Sequence, residues 1–359
     1  VAVTGIGIIS SLGLCPEEVT ETLTRGRSCT RHVPEWETLG LKSTVGGLLP
    51  DLTQKIEAAE IPRKKRQCMS GASLYAVLAA GDAIRDAGLS EAELMKADCG
   101  CLVGSGVSDV FANYDCGKKL FEGNARRVSP YTVVHTMASS CSANVINMFP
   151  VGGRSFSISS ACATSAHNIG QAVELIRGGK LNTAIAGGAE DVNEIITSAF
   201  CAMRMALSTK YNSCPEKASR PFDAERDGFV ISGGAGILIL EEMEQARKRG
   251  AHLYGEISGY AATSDGYHIF LPEPEGTMTS LCMQEALKDA ELHPEDIDYV
   301  NPHGTATVVG DPAETKAIRK VFGSSIPPFS STKSMSGHAV GAAGGTELIY
   351  CLSMMKNGF

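Results

Sequence analysis

The 12 cysteines include no Cys-x-x-Cys pair, and the 39 glycines form neither a complete Gly-x-Gly-x-x-Gly nor a phosphate loop ending in Lys-Ser/Thr. No apolar run reaches the ~18 residues of a membrane span. Only one basic cluster stands out, Arg63-Lys-Lys-Arg66, in a chain of net charge −8. These absences exclude a zinc-finger spacing, a dithiol redox motif and a membrane-spanning helix, and they argue against nucleic acid as the main ligand. Twelve cysteines in 359 residues are also too sparse for a disulfide scaffold, so a reducing compartment is expected. The cytoplasm fits, or an organelle if an upstream targeting peptide has been removed, since the first residue is Val1 and not methionine.

What the chain has in excess is glycine, more than one residue in ten, without low complexity. That pattern predicts many tight strand-to-helix turns. Two stretches about 200 residues apart read alike. Asp82-Ala-Ile-Arg-Asp-Ala-Gly-Leu89 closes a helical pattern, and Glu285-Ala-Leu-Lys-Asp-Ala-Glu-Leu292 repeats it. Each is followed by an acidic connector and a buried-strand pattern, Cys101–Gly106 and Tyr299–Gly304. Further on, Ser155–Ser159 leads to a helix over 165–177, and Pro328–Lys333 to a helix over 341–356, each stopping at glycine. The expectation is an α/β protein of two pseudo-duplicated halves, 1–250 and 251–359.

Cys162 lies in Ser159-Ser-Ala-Cys-Ala-Thr-Ser165, between a strand-like run and a helix start. Unpaired N–H groups and the helix dipole there are expected to lower the thiol's pKa and favour the nucleophilic thiolate. His303 ends a strand pattern ahead of Gly304, and His338 sits in the small-residue turn Ser336-Gly-His-Ala-Val-Gly341. By the duplication, the turn with Lys333 and His338 mirrors the turn with Cys162, so the two are expected to converge on one cleft. Most other cysteines and histidines, His167 among them, read as structural.

Together these motifs resemble the β-ketoacyl-acyl carrier protein synthases, condensing enzymes of the thiolase superfamily. The resemblance runs from Val3-Thr-Gly-Ile-Gly7 through Ser159–His167, Ala206–Lys210, Arg220–Phe229 and His303–Thr307 to Ser331–His338 and Gly341–Gly344. The form around Cys162, with Glu216-Lys-Ala-Ser-Arg220, is closest to the synthase I class. The resemblance implies a thiolase-like fold in α-β-α-β-α layers. It implies an acyltransferase in which Cys162 carries the acyl group while His303 and His338 serve decarboxylation and condensation. Lys333 matches the family's active-site lysine and Glu314 the acidic residue linked to it, with Asp311 in support. Thr305 and Thr307 match the threonines that bind the pantetheine arm, and Val107 falls at the acyl pocket.

The chemistry implied is decarboxylative Claisen condensation with malonyl-carrier in fatty-acid elongation, with no metal and no resident cofactor, the phosphopantetheine arriving on the acyl carrier protein. That acidic carrier makes Arg63–Arg66 and Arg126-Arg127 candidate docking residues, and a homodimer paired through Ser155–Ser159 is expected. Two departures bear on function. Relatives continue beyond Phe359 into a hairpin-like segment and a Gly-Phe-Gly-Gly-Thr-Asn motif, and Val107-Ser108-Asp109 replaces a glycine-rich loop. The alternatives are a polyketide-type ketosynthase or a non-catalytic, truncated partner subunit.

Overall fold

Three runs buried almost throughout, Ala2–Ile9, Thr183–Glu190 and Gly234–Glu241, are too uniformly apolar or small for a sheet with one wet face, and they form the middle of a six-stranded sheet. A computed structural model describes all of residues 1–359. The strand order is Ser155–Phe156, Cys99–Gly104, Thr183–Glu190, Gly234–Glu241, Ala2–Ile9 and Gly255–Glu256. The first three run parallel, and each later neighbour is antiparallel.

Successive side chains leave opposite faces of the sheet, and each face has its own core. Cys99, Cys101, Val103, Ile185 and Ile237 point towards the helix Gly71–Asp86, whose Leu74, Val77, Leu78 and Ile84 meet them. Leu102, Ala184, Ala186, Leu238 and Leu240 point the other way, onto the helices Thr164–Arg177 and Ala343–Asn357. On this second face Gly236 meets Gly345 main chain to main chain: a Cβ on Gly236 would lie 2.3 Å from the carbonyl carbon of Gly345.

Those two helices are the middle layer. Beyond them, Arg177 bonds Asp289 and the carbonyl of Ser258, and the amide of Asn301 reaches Cys351. The outer helices Thr277–Asp289 and Gly310–Phe322 pack against each other. The layer sequence is thus the one the resemblance implies. The strands expected at 299–304 and 328–333 are narrower than expected. They pair in parallel at one bridge, Val300 with Phe329, which mirrors the pairing of Leu102 with Phe156 in the first half. Two backbone hydrogen bonds at that bridge are too few to make a ladder.

The duplication reaches into backbone strain. Each middle helix is entered through a 3₁₀ turn, Ala161–Ala163 or Val340–Ala342, and each turn begins at a non-glycine residue with positive φ: +49° at Ala161 and +42° at Val340. For the β-branched Val340 this is a genuine outlier. Gly341 is therefore the counterpart of Cys162. Gly179 and Gly358, at φ +63° and +70°, take the left-handed positions at the helix ends. No helix is long and apolar enough to cross a membrane.

Candidate active site

The turn that presents Cys162 is fastened from behind. The side-chain amide of Asn168, one turn into the helix, donates to the carbonyl of Ile158 and accepts from its N–H, both at 3.0 Å. The N–H of Ser160 donates to Oγ1 of Thr164 at 2.9 Å. These bonds hold Ala161 in its strained conformation, which projects the half-buried Cys162 into the cleft.

The second turn is fixed through the small sheet Arg31–His32, Val45–Gly47, Ile231–Ser232. His338 donates its N–H to the carbonyl of Val230 at 2.7 Å and accepts at its own carbonyl from Ser232 at 2.9 Å. Its ring, 2% exposed, packs edge-on against Phe229 with centroids 5.3 Å apart. Its Nε2 lies 2.9 Å from Sγ of Cys162. His303 stands 5.1 Å away, ring perpendicular to ring, on the side of the cleft open to solvent. The convergence expected from the duplication is present: ligand atoms of Cys162, His303 and His338 all lie within 4.8 Å of one another. That triangle is close enough for a divalent ion, and it is equally the set that thiol transfer needs.

The expected thiolate is not found. Burial pushes the Cys162 thiol up to about 11, Lys333 pulls it down, and Glu190 adds to the rise. The helix start is present, but the loss of water outweighs it. His338 is held well below the usual range by burial, with His303 and Lys333 adding to the effect. Crowding by surrounding protein lowers His303 too, although one side of it faces solvent, and Lys333 acts in the same direction. Both imidazoles are therefore neutral at physiological pH. The Nδ1 of His338 is buried without a partner, so no protein group fixes its tautomer, and Nε2 is available to accept a proton or to donate one.

Lys333 is fully buried and is ion-paired with Glu347, not with Glu314 as the resemblance implies. Glu314 is otherwise engaged: its two oxygens accept from the N–H groups of His303 and Gly304 at 2.6 and 2.7 Å, which pins the strand end carrying His303. Burial raises the pKa of both carboxyls, and Lys333 opposes the rise in each. Asp311, buried at the start of the helix 310–322, accepts from the N–H of Phe222 at 2.7 Å. Thr305 and Thr307 face each other with hydroxyls 3.1 Å apart. Val107 packs in the small cluster of Phe229, Ile196 and Phe200 that surrounds Cys162.

Cys162, His303, His338, Thr305, Thr307 and Glu314 line a cleft of about 450 Å³. Its far wall is a segment that sequence reasoning passed over, Asp265 to Pro272, where Ile269 is 85% exposed beside Phe270 and Leu271. The signal was an apolar run, Ile-Phe-Leu, between Gly266 and Pro272. Glu347 and Glu190 were missed as well; Glu347 interrupts a small and apolar run, and Glu190, with Asp191 next to it, ends one. Arg63, Lys64, Arg66, Arg126 and Arg127 are on the surface.

Comparison with known proteins matches residues 1–246 to the β-ketoacyl synthase N-terminal domain and residues 254–359 to the β-ketoacyl synthase C-terminal domain. The 3-oxoacyl-[acyl-carrier-protein] synthase 1 of Haemophilus influenzae is 46% identical over 359 residues, covering 99% of this chain and 86% of that protein. The protein of the same name in Escherichia coli K12 is also 46% identical, with the same coverage. Among solved structures, a β-ketoacyl synthase from Burkholderia phymatum superposes with a TM-score of 0.92 at 36% identity, covering 99% of this chain and 86% of that one. A type II polyketide synthase acyl-carrier protein in complex with its ketosynthase, bound to the hexaketide, gives 0.88 at 30%, with the same coverage.

Proposed function

Because the chain belongs to the β-ketoacyl synthase family, we propose that it is a β-ketoacyl-[acyl carrier protein] synthase of fatty-acid elongation that carries its acyl group on Cys162. The observation that bears most weight is the neutral thiol 2.9 Å from a neutral imidazole, with a second imidazole 5.1 Å beyond it.

Acyl loading begins with proton transfer from Sγ of Cys162 to Nε2 of His338 as the sulfur attacks the carbonyl of the acyl-carrier thioester. The bond from that carbonyl to the carrier sulfur breaks, the proton returns to the departing thiolate, and the acyl group stays on Cys162. Malonyl-carrier then enters past Thr305 and Thr307, whose hydroxyls hold the pantetheine amides. Its carbon–carboxylate bond breaks, carbon dioxide leaves, and the electron pair becomes an enolate. Neutral His303 and His338 each donate one hydrogen bond to the enolate oxygen, a role that charged, solvated rings perform less selectively. The enolate carbon attacks the acyl carbonyl, the new carbon–carbon bond forms as the bond from that carbonyl to the sulfur of Cys162 breaks, and the released thiolate takes up a proton from solvent. Every step exchanges thioester, carboxylate and proton, so the chemistry calls for no metal and no resident cofactor.

The proposal extends to a homodimer joined through the exposed edge strand Ser155–Phe156. It also includes an acidic carrier docked near Arg63–Arg66 and Arg126-Arg127, in a reducing, cytoplasmic setting supported by twelve free cysteines.

The test is mass spectrometry of the protein incubated with a panel of acyl-carriers. A single acyl adduct on Cys162 from straight-chain carriers, absent in Cys162→Ala, supports the proposal; Cys162→Gln should still decarboxylate malonyl-carrier. Loading from polyketide intermediates alone would replace it with the polyketide reading, and no adduct with any carrier would leave a non-catalytic partner.

A further inference from the structure

Behind the reacting groups lies a carboxylate with no place in the condensation steps. Glu190 ends the strand Thr183–Glu190 and is 1% exposed. Its four hydrogen bonds come from two different parts of the chain. Oε1 accepts from the Ser105 hydroxyl at 2.7 Å and from the Val107 N–H at 3.3 Å. Oε2 accepts from the Gly106 N–H at 2.8 Å and from the Gly341 N–H at 3.0 Å. Burial pushes this carboxyl up to about 7 against the pull of its four donors; once ionised it holds charge-assisted bonds, roughly twice as strong as neutral ones, and four of them define its position closely.

The residues clasped are those that border the reacting pair. Gly341 follows the strained Val340 and lies three residues after His338, in the turn that mirrors the nucleophile's. Val107 and Cys162 pack against the same small apolar cluster, and a Cβ on Gly106 would stand 3.0 Å from the carbonyl of Ala161, the strained residue before the nucleophile. Glycine is required at both clasped positions: a Cβ on either Gly106 or Gly341 would meet Oε2 of Glu190 at 2.7 Å. Residues far apart in the chain thus close on one carboxylate at the place where the two halves bring thiol and imidazole together. Strained backbone persists only where its surroundings over-determine it, and this clasp supplies part of that constraint at Val340.

We propose that Glu190 is a positioning residue for the condensation site: its carboxylate joins the 105–107 loop to the turn after His338 and so sets the distance between Cys162 and the imidazole that takes its proton. This rests on the function proposed above. The carboxylate also acts on Cys162 through its charge, since Glu190 raises the thiol's pKa. The other charged or titratable groups facing the thiol are Lys333, His303, His338 and Glu347.

The experiment compares the full chain with Glu190→Gln, Glu190→Asp and Ser105→Ala. It measures acyl loading of Cys162 from a saturated acyl-carrier, the pH profile of Cys162 alkylation by iodoacetamide, and the thermal midpoint. Glu190→Gln turns an NH₂ towards at least one backbone N–H in either orientation and removes the charge. Its loading rate should fall about 10²-fold, the effect of a small misplacement of reacting groups. Its alkylation profile should shift to lower pH, which a purely structural support would not cause. Glu190→Asp keeps the charge and should restore the parent's alkylation profile while loading stays slow. If Glu190→Gln does not fold, Ser105→Ala carries the test by removing one donor from the same carboxylate, and slower loading with an unchanged thermal midpoint is expected. Folded Glu190→Gln, or Ser105→Ala in its place, loading at the parent's rate would overturn the inference. A parent chain that never loads Cys162 would instead overturn the proposed function.

Discussion

Nε2 of His338 and Sγ of Cys162 are 2.9 Å apart across the interface between the two halves of the chain, and burial holds the thiol proton on sulfur. The site therefore keeps its nucleophile protonated until an acyl thioester is there to be attacked, with the base already in contact. A free thiol ionises near pH 8.5, and this one is pushed up to about 11. The alkylation rate of Cys162 should accordingly still be climbing at about pH 10, where small-molecule thiols have levelled off. A plateau below about pH 9 would show that the resting enzyme stores a thiolate. Mass-spectrometric counting of labelled Cys162 distinguishes the two.

Lys333 is buried and forms an ion pair with the largely buried Glu347. Removing one partner of such a pair leaves an uncompensated buried charge and typically costs about 3–5 kcal/mol. Glu347→Ala should show a loss of that order in urea unfolding, and the double variant Lys333→Met/Glu347→Leu should recover most of it. Lys333→Met should also raise the pKa of both imidazoles, since Lys333 is one cause of their lowering, and histidine NMR titration would record the shift.

Acid stability follows from the neutral imidazoles. With its folded pKa below its unfolded value, a histidine stays unprotonated in the folded chain and takes up a proton on unfolding. Below about pH 6.5 the unfolded state thus binds more protons, and stability is lost as pH falls. His338→Gln removes one such group. Its unfolding free energy should fall less steeply than the parent's between about pH 6.5 and pH 4, as followed by urea titration at each pH. Equal slopes would place the ring's folded pKa at its ordinary value.

Thr305 and Thr307 touch neither the thiol nor either catalytic ring among their hydrogen bonds. If, as proposed, each hydroxyl holds the pantetheine arm, replacing either with valine removes a contact worth roughly 1 kcal/mol, so KM for malonyl-carrier should rise about five- to tenfold with kcat little changed. A fall in kcat alone would move these hydroxyls from binding to chemistry.

Metal removal gives a further check. Exhaustive treatment with a chelator should leave condensation unchanged, because every step proceeds through thiol, imidazole and thioester. Activity lost to the chelator and restored by zinc would turn the Cys162–His303–His338 triangle into a metal centre.

Much of this site is written locally and so was legible in the chain. Small residues around Cys162 between a strand-like run and a helix start specify an accessible thiol on a sharp turn, and Gly337-His338 carries the same information. The duplicated order of elements was enough to bring the two turns together. What failed depends on distance and burial. The pattern around Cys162 announces a helix start but not the surrounding mass that excludes water, so the direction of the thiol's pKa was misjudged. Lys333 has Glu314 nineteen residues before it and Glu347 fourteen after it, and spacing alone cannot choose between them. The choice is made in three dimensions by two backbone N–H groups that already occupy Glu314. Glu190 was hidden for a similar reason, because its partners are loop amides that carry no signature in a sequence.

The contact between Gly236 and Gly345 has a consequence for how such proteins diversify. Main chain laid on main chain has no rotamers to repack, so neither position tolerates even a methyl group, and a comprehensive substitution library should return almost nothing there. Variation can then accumulate where side chains, not backbones, form the walls of the cleft, along Ile269–Leu271. The central sheet and the helix on it act as an inherited datum, against which only the lining of the cleft is free to be rewritten.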